Sequence, residues 1–170
     1  VAAGATLIRI TLEADEEQGL LTLTIADNGK GMTAETLAHV TDPFYTTRKT
    51  RKVGLGLPFL KMSAEMTGGT LAIESEVGKG TVVTASFGLH HIDRAPLGDI
   101  ASTVAGLIQC SPDIDFVFTV RAGGEEFCAD TREMREVLDG VSFAEPAVAQ
   151  WLREFIGENT QPILQRSNII

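Results

Sequence analysis

The stretch Asp27-Asn28-Gly29-Lys30-Gly31-Met32 decides how this chain is interpreted, because it directly follows a strand-like run at residues 20–26. Its two glycines allow a tight backbone turn and a close approach to a ligand. An aspartate held at such a strand end can accept a hydrogen bond from an amino group, such as that of an adenine ring. The simpler alternative is an ordinary hairpin turn, since Asp-Asn-Gly is typical turn chemistry. This stretch alone leaves both interpretations open.

Two further glycine runs follow. Gly54-Leu55-Gly56-Leu57 precedes a helical pattern, and the free N–H groups and partial positive charge of a helix N-terminus favour an anion. Gly78-Lys79-Gly80-Thr81 is typical of a β-turn. Taken singly, each run is weak evidence, because many helices begin after glycine and many hairpins turn on it.

Around these runs the sequence predicts strands and helices in alternation. β-Branched and apolar residues dominate the strand segments, and Thr33 is a suitable N-cap with Glu35 in the first helical turn. Pro58 falls in the first turn of a second helix, where its missing N–H is tolerated, and Gly68-Gly69 can end that helix. The predicted strands cover residues 6–12, 20–26, 70–74 and 81–87, and the predicted helices follow Thr33 and cover residues 57–66.

Composition and charge limit the class of protein. The 170 residues carry a formal net charge of -9, of which -7 falls in residues 90–170. Clustered cations are needed to contact nucleic-acid phosphates, and the only basic cluster is Arg48, Lys49, Arg51 and Lys52. A nucleotide triphosphate suits this cluster better than DNA, so we expect no nucleic-acid partner.

The same composition indicates a cytoplasmic protein. No stretch approaches the roughly 20 apolar residues of a membrane span, and the first residues carry no signal-peptide pattern. Two cysteines, Cys110 and Cys128, are too few for a disulfide framework. We therefore expect reduced thiols, no membrane contact and a cytoplasmic location.

The order of the motifs is more specific than any one of them. D-N-G-K-G-M, D-P-F-Y-T-T-R, G-L-G-L-P and G-G-T-L-A-I-E-S-E-V-G-K-G-T together resemble the ATPase domain of sensor histidine kinases, in the gyrase, histidine-kinase and MutL superfamily (the Bergerat fold). Residues 27–32, 54–57 and 78–81 match its three glycine boxes, and residues 42–48 match its phenylalanine box. Residues 3–6, Ala-Gly-Ala-Thr, look more like MutL.

The resemblance implies an α+β two-layer sandwich, a mixed β-sheet with helices on one face, that binds ATP with Mg²⁺. Asp27 would bind the adenine amino group with Thr81 beside it, and residues 42–53 would form a lid. Glycines 54 and 56 and the N–H of Leu57 would hold phosphates, with Arg48, Lys49 and Lys52 as candidates to neutralise them. The ATP-binding set that it implies is Asp27, Gly29, Gly31, Met32, Phe44, Thr46, Arg48, Lys52, Gly54, Leu55, Gly56, Leu57 and Thr81.

The chain departs from the family pattern in two ways. The N-box, a helix before the first strand that supplies the Mg²⁺-binding Asn and often a Glu base, would lie upstream of Val1, so no metal ligand or catalytic residue is assigned within residues 1–170. We expect truncation or disorder of that helix rather than its loss. The family's phosphoacceptor hairpin also has no counterpart, and His39, His90 and His91 fit surface or junction positions.

Residues 90–170 lie outside the resemblance and predict a C-terminal α/β extension to the ATPase domain at residues 1–89. The apolar faces here either pack on the sheet or on each other, or form a partner or homodimer surface. A helical face is predicted at Leu97, Ile100, Ala101, Val104, Leu107 and Ile108, a hairpin at residues 115–129, and a helix opened by Asp130 and Glu133. A capping box is predicted at residues 142–145, before a helix with an apolar stripe over residues 148–156 that Gly157 can stop.

Two functions remain open at this point. One is an enzyme, either an ATPase or a protein kinase acting in trans, in a regulatory or signalling role. The other is an ATP-dependent switch module, similar to an anti-sigma factor, that binds without turnover. A degenerate scaffold that no longer binds nucleotide is disfavoured by the near-complete glycine boxes.

Overall fold

The structure is a computed structural model that describes residues 3–43, 55–167 and 169. Six strands form one mixed sheet in the order β3-β4-β2-β1-β5-β6, in which only β1 and β5 are parallel. The described elements are β1 (Leu7–Asp15), β2 (Leu20–Asp27), α1 (Ala34–His39), α2 (Gly56–Met66), β3 (Leu71–Glu76), β4 (Gly80–Gly88), α3 (Ile100–Cys110), β5 (Asp115–Ala122), β6 (Glu125–Asp130), α4 (Thr131–Leu138) and α5 (Pro146–Arg166). The mixed α+β fold is confirmed.

One face of the sheet carries the core. Because side chains alternate across a strand, Ile10 shares a face with its cross-strand neighbours Ile25 and Phe118. Apolar residues continue along that face, and those of β1, β2, β5 and β6 join helix residues such as Val104 and Leu152 in one buried cluster. The opposite face is polar, with Thr11, Thr24 and Thr84 side by side. We call the apolar face the covered face.

The C-terminal extension continues the same sheet. β5 pairs with β1 over its length, from Leu7 opposite Asp115 to Glu13 opposite Arg121. At the start of β5 the N–H of Asp115 donates to the carbonyl of Thr6 over 2.9 Å. The extension is therefore built onto the edge of the first four strands, while the division at residues 89 and 90 stays a prediction.

Helix caps show where local sequence rules hold. Thr33 caps α1 by accepting from the N–H of Thr36, and Asp130 caps α4 by accepting from the N–H of Arg132, both as predicted. The capping box predicted at residues 142–145 is wrong: the N–H of Ala144 donates to the Ser142 hydroxyl, and α5 begins later, after Glu145. Pro146 occupies the first position of the helix, where a proline is favoured, and this shifts the start.

The predicted stop at Gly157 is also wrong, since α5 continues to Arg166. Tertiary packing explains the continuation. A Cβ at Gly157 would lie 3.6 Å from the Cβ of Ala101 on α3, so the glycine lies where α3 and α5 approach each other. Val148, Leu152 and Ile156 are buried on the part of α5 before Gly157, and Ile163 and Leu164 are buried on the part after it. Core burial beyond residue 157 outweighs the low helix propensity of glycine.

Two statements about membrane spans and disulfides concern the described residues only. No helix in them combines the length and apolar character that a bilayer crossing requires. Cys110 and Cys128 are both free and exposed.

Candidate functional site

Asp27 ends strand β2 and begins the first glycine loop. Its Oδ1 accepts a hydrogen bond of 2.8 Å from the N–H of Gly29, which holds the carboxylate at the strand end. Within residues 3–43 and 55–167, its second oxygen, Oδ2, accepts no protein hydrogen bond. Asp27 is partly buried and lies on the covered face, two residues after Ile25. One carboxylate oxygen is thus available to a ligand at the end of the sheet.

Two hydroxyl groups lie in the same row as Asp27. Thr81 on β4 is the cross-strand partner of Asp27, and Ser75 on β3 is the partner of Thr81. The Ser75 and Thr81 hydroxyl oxygens are 2.9 Å apart. Thr81 therefore lies beside Asp27, as the resemblance implies. Ser75 was missed by sequence reasoning, although its register opposite Thr81 in the predicted β3–β4 hairpin could have indicated it.

Ser75 also joins the loops around this row. Its Oγ accepts from the N–H of Met32 over 2.8 Å and contacts the carbonyl oxygen of Gly80 at 2.9 Å. Met32, a candidate ATP-binding residue, is thereby hydrogen-bonded through its backbone N–H to strand β3. The hydroxyl fixes the end of the first glycine loop relative to the third glycine run.

The next row on the covered face is apolar. Ile25, Val83 and Ile73 are cross-strand neighbours on β2, β4 and β3, and each keeps part of its surface exposed. Binding sites for small molecules combine an apolar lining with a few fixed polar groups. An apolar floor beside a carboxylate and a hydroxyl suits a flat heteroaromatic base that carries an amino group.

Two glycines allow the first glycine loop to pack on the 76–80 turn. Gly31 has φ +65° and a Cβ there would lie 1.9 Å from the Glu76 carbonyl oxygen. Gly80 has φ +107° and a Cβ there would lie 1.9 Å from the Asp27 carbonyl oxygen. A side chain at either position would collide with the backbone. The first and third glycine runs are therefore brought into direct contact.

Asn28 connects the loop to the first strand. Its Oδ1 accepts from the N–H groups of Thr6 and Leu7, at 2.9 and 3.0 Å, and its Nδ2 donates to the Thr6 hydroxyl over 2.9 Å. Sequence reasoning assigned Asn28 only turn chemistry. In the structure this side chain accepts hydrogen bonds from the backbone N–H groups at the start of β1.

The second glycine run precedes helix α2. Leu55 is the N-cap residue, and its side chain makes no capping hydrogen bond. At the other end of the helix the N–H of Gly88 donates to the carbonyl of Thr67 over 3.2 Å, so α2 begins nearer the Thr81 end of β4. The start of α2 at Gly56 and Leu57 therefore lies toward the end of the sheet that carries Asp27, and a helix N-terminus favours an anion.

Five of the sequence-predicted binding residues lie outside the described residues: Phe44, Thr46, Arg48, Lys52 and Gly54. The same holds for the part of the predicted lid from residue 44 onward and for Lys49. Among the residues that are described, no group of three or more His, Cys, Asp or Glu side chains could hold a metal ion. The histidines 39, 90 and 91 are exposed, as expected.

Comparison with known proteins identifies the family of this chain. The family model for histidine kinase-, DNA gyrase B- and HSP90-like ATPases matches residues 2–91, more than half of the chain. Among curated relatives, the sensor histidine kinase ZraS of Klebsiella oxytoca is 42% identical over 66 residues, covering 39% of this chain and 14% of its own length. Sporulation kinase D of Bacillus subtilis is 40% identical over 77 residues, covering 45% of this chain and 15% of its own.

A solved structure supports the fold. The crystal structure of the N-terminal domain of a DNA repair protein aligns with a TM-score of 0.52 and 16% identity, covering 75% of this chain and 47% of that one. The chain spans less than a fifth of the length of either kinase above. From the family match and the motifs at its site, the chain belongs to the histidine kinase-, DNA gyrase B- and HSP90-like ATPases, as an ATP-binding domain of the kind found in sensor histidine kinases.

Proposed function

We propose that ATP binds on the covered face at the end of β2, with its base against Asp27. The observation that carries this proposal is the row formed by Asp27, Thr81 and Ser75 beside the apolar row of Ile25 and Val83. The Oδ2 of Asp27, which accepts no hydrogen bond from the described residues, accepts one from the exocyclic amino group of adenine. Thr81 supplies a hydroxyl next to it, directly or through water.

The phosphates then extend toward the start of α2. The N–H groups of Gly56 and Leu57, at a helix end that the Leu55 side chain does not cap, favour negative charge. Gly54 and the cations Arg48 and Lys52 complete this part of the proposal on sequence grounds. Phe44 and Thr46 belong to the proposed lid over the nucleotide, and Leu55 and Met32 border it.

Mg²⁺ accompanies ATP in this proposal, but the described residues do not form a site for it. Its protein ligand would come from the helix that the family places before the first strand. When bound, the metal would offset phosphate charge. The residues described in this chain serve to bind and orient the base and to hold the glycine loops in place.

We propose a regulatory or signalling role in the cytoplasm for the bound nucleotide. The named relatives are sensor and sporulation kinases, and the chain shares with them the nucleotide-binding part. Residues 90–170 extend the sheet from β1 and present exposed apolar side chains, including Val137 and Trp151. These residues are the proposed contact region for a protein partner or a second copy.

Calorimetric titration of ATP into the full-length protein tests the site. Asp27→Asn should weaken binding by about 1–3 kcal/mol, the usual loss when a buried polar partner is mismatched. Asp93→Asn, an exposed aspartate after the last strand of the first half, is the matched control and should bind as the wild type does. Equal affinities for wild type and Asp27→Asn would contradict the proposal. Binding without hydrolysis would favour the switch module over the enzyme.

A further inference from the structure

Strand β6 is a free edge of the sheet. Among the described strands it pairs only with β5, without interruption from Val117 opposite Asp130 to Ala122 opposite Glu125. The strand contains no proline, no lysine and no bulge, three of the features that usually protect an edge from pairing with another strand. The edge is therefore open to a further strand.

The backbone groups that face away from β5 are those of Glu126 and Cys128. On the β1 side of β5, the N–H of Asp115 donates to the Thr6 carbonyl. Because successive backbone groups alternate in direction along a strand, the even-numbered residues of β5 face β6 and bond to its odd-numbered residues. The N–H and C=O groups of Glu126 and Cys128 therefore face outward, and no described residue bonds to them.

The hairpin turn fixes the same alternation independently. Gly123 and Gly124 have φ +57° and +77°, the left-handed values that a two-residue type I′ turn requires. Such a turn closes on a hydrogen-bonded pair, which here is Ala122 and Glu125. The next residue, Glu126, must then face away from β5.

The acidic side chains of β6 do not leave this edge with uncompensated charge. Each of them has an arginine partner in the same chain. The pairs are Glu125 with Arg166, Glu126 with Arg121, and Asp130 with Arg132. These pairs reduce the repulsion that an approaching acidic strand would meet.

An aromatic cluster lies beside the edge on the covered face. Phe127 is opposite Val120, and its ring contacts that of Phe155 edge to face, with the centroids 5.6 Å apart. The Trp151 ring stacks on Phe155 at 5.4 Å and stays 41% exposed. Aromatic side chains are enriched at protein interfaces. Apolar contact surface and free backbone groups thus occur together at one edge.

We propose that β6 pairs antiparallel with β6 of a second copy of this chain, with Phe127 on the two-fold axis. Glu126 then lies opposite the second copy's Cys128, and each residue bonds to the other through its N–H and C=O. The two Phe127 side chains meet on the covered face, beside Trp151 and Phe155 of each copy. The inference rests on the contact region proposed above for residues 90–170, specifies one strand of it, and needs no nucleotide.

Charge selects this register over its neighbours. With Cys128 on the axis, Glu126 would lie opposite the second copy's Asp130. With Glu126 on the axis, it would lie opposite its own counterpart. Like charges directly opposite each other destabilise an antiparallel pair. With Phe127 on the axis, each Glu126 lies opposite a neutral cysteine, so this register has the least repulsion of the three.

Sedimentation velocity of the full-length protein without nucleotide tests the pairing, and a concentration-dependent equilibrium between monomer and dimer is expected. Cys128→Pro should raise the dissociation constant by on the order of tenfold or more, because each copy loses the N–H that it donates to the other's Glu126. Proline is tolerated on an edge strand where the N–H faces solvent, so the fold should persist. Cys128→Ser keeps the N–H and is the matched control.

Two results of this experiment would overturn the proposal. One is a protein that stays monomeric at every concentration, and the other is an equal dissociation constant for Cys128→Pro and Cys128→Ser. A monomer that still binds ATP would overturn the pairing and leave the nucleotide site standing, so the two failures are distinguishable.

Disulfide trapping tests the register without the proline variant. In a Cys110→Ser background, Glu126→Cys should give a covalent dimer on mild oxidation, because residue 126 lies opposite the second copy's Cys128 at about 5.5 Å between Cα atoms. Glu125→Cys is the control, since it lies opposite Ala129 on the other face. Equal trapping of both would overturn the register. So would efficient trapping through Cys128 alone, because its counterpart would be diagonal, at about 7–8 Å.

Discussion

The hydroxyl oxygens of Ser75 and Thr81 lie 2.9 Å apart across the β3–β4 pair, in the row that ends with Asp27. Ser75→Ala would remove this contact and the partner of the Met32 N–H. We expect a loss of about 1 kcal/mol in unfolding free energy, the net value of a typical hydrogen bond, together with weaker ATP binding in calorimetry.

A matched control for Ser75 exists at the other end of the same pair. The Ser86 Oγ accepts from the N–H of Thr70 over 3.0 Å, away from the proposed site. Ser86→Ala should therefore cost similar stability in urea unfolding and leave ATP affinity unchanged. If both variants lower affinity equally, Ser75 acts on the sheet and not on the site.

Gly31 should be intolerant of a side chain. Gly31→Ala would force an L residue to φ +65° and place its Cβ 1.9 Å from the Glu76 carbonyl oxygen. Gly78→Ala is the control, because it has φ +81° with nothing within 4 Å of its Cβ. The control should lose only the left-handed backbone cost, about 1–2 kcal/mol, and Gly31→Ala clearly more. Urea unfolding that gives equal losses would contradict the contact between the two glycine runs.

Gly157 should tolerate alanine. It lies inside α5, and an added Cβ would lie 3.6 Å from the Ala101 Cβ, an ordinary van der Waals distance. Because alanine has a higher helix propensity, Gly157→Ala should raise the free energy of unfolding by about 0.5–1 kcal/mol. Gly157→Leu should lower it, because the longer side chain does not fit against α3. A loss for the alanine variant in thermal or urea unfolding would show that the helices pack more closely there.

The sequence predicted most elements because their signals are local. Strands at β1 and β2 follow from β-branched runs, and the α1 and α4 caps follow from Thr33 and Asp130, which bond to N–H groups two or three residues away. Gly157 and the 142–145 box misled for two different reasons. Gly157 does not end α5 because the helix packs against α3 there. The start of α5 is set by Pro146 at its first position.

The site was predictable only where its signals are local in sequence. Asp27 and the glycine runs carry a recognisable pattern, whereas Ser75 is distinguished only by its cross-strand register with Thr81. The position of β5 beside β1 joins residues more than a hundred apart in sequence, such as Leu7 and Asp115. No local signal specifies such a pairing, so the sequence predicted an extension without predicting where it attaches.

The stability contributed by Asp130 should depend on pH. Its side chain accepts hydrogen bonds from the side chain and the N–H of Arg132, at the start of α4. The side-chain hydrogen bond from Arg132 is the main cause that lowers the pKa of Asp130 below its usual value. A carboxyl whose pKa is lowered on folding stabilises the fold above its unfolded pKa, about 3.9, and this contribution is lost as the pH falls through the folded pKa.

Wild type should therefore exceed Asp130→Asn in unfolding free energy at neutral pH, with the difference shrinking in acid. Urea unfolding across the acidic range measures it, and Arg132→Gln should reduce the pH dependence. A difference that stays constant into strong acid would contradict the role of the charged carboxylate.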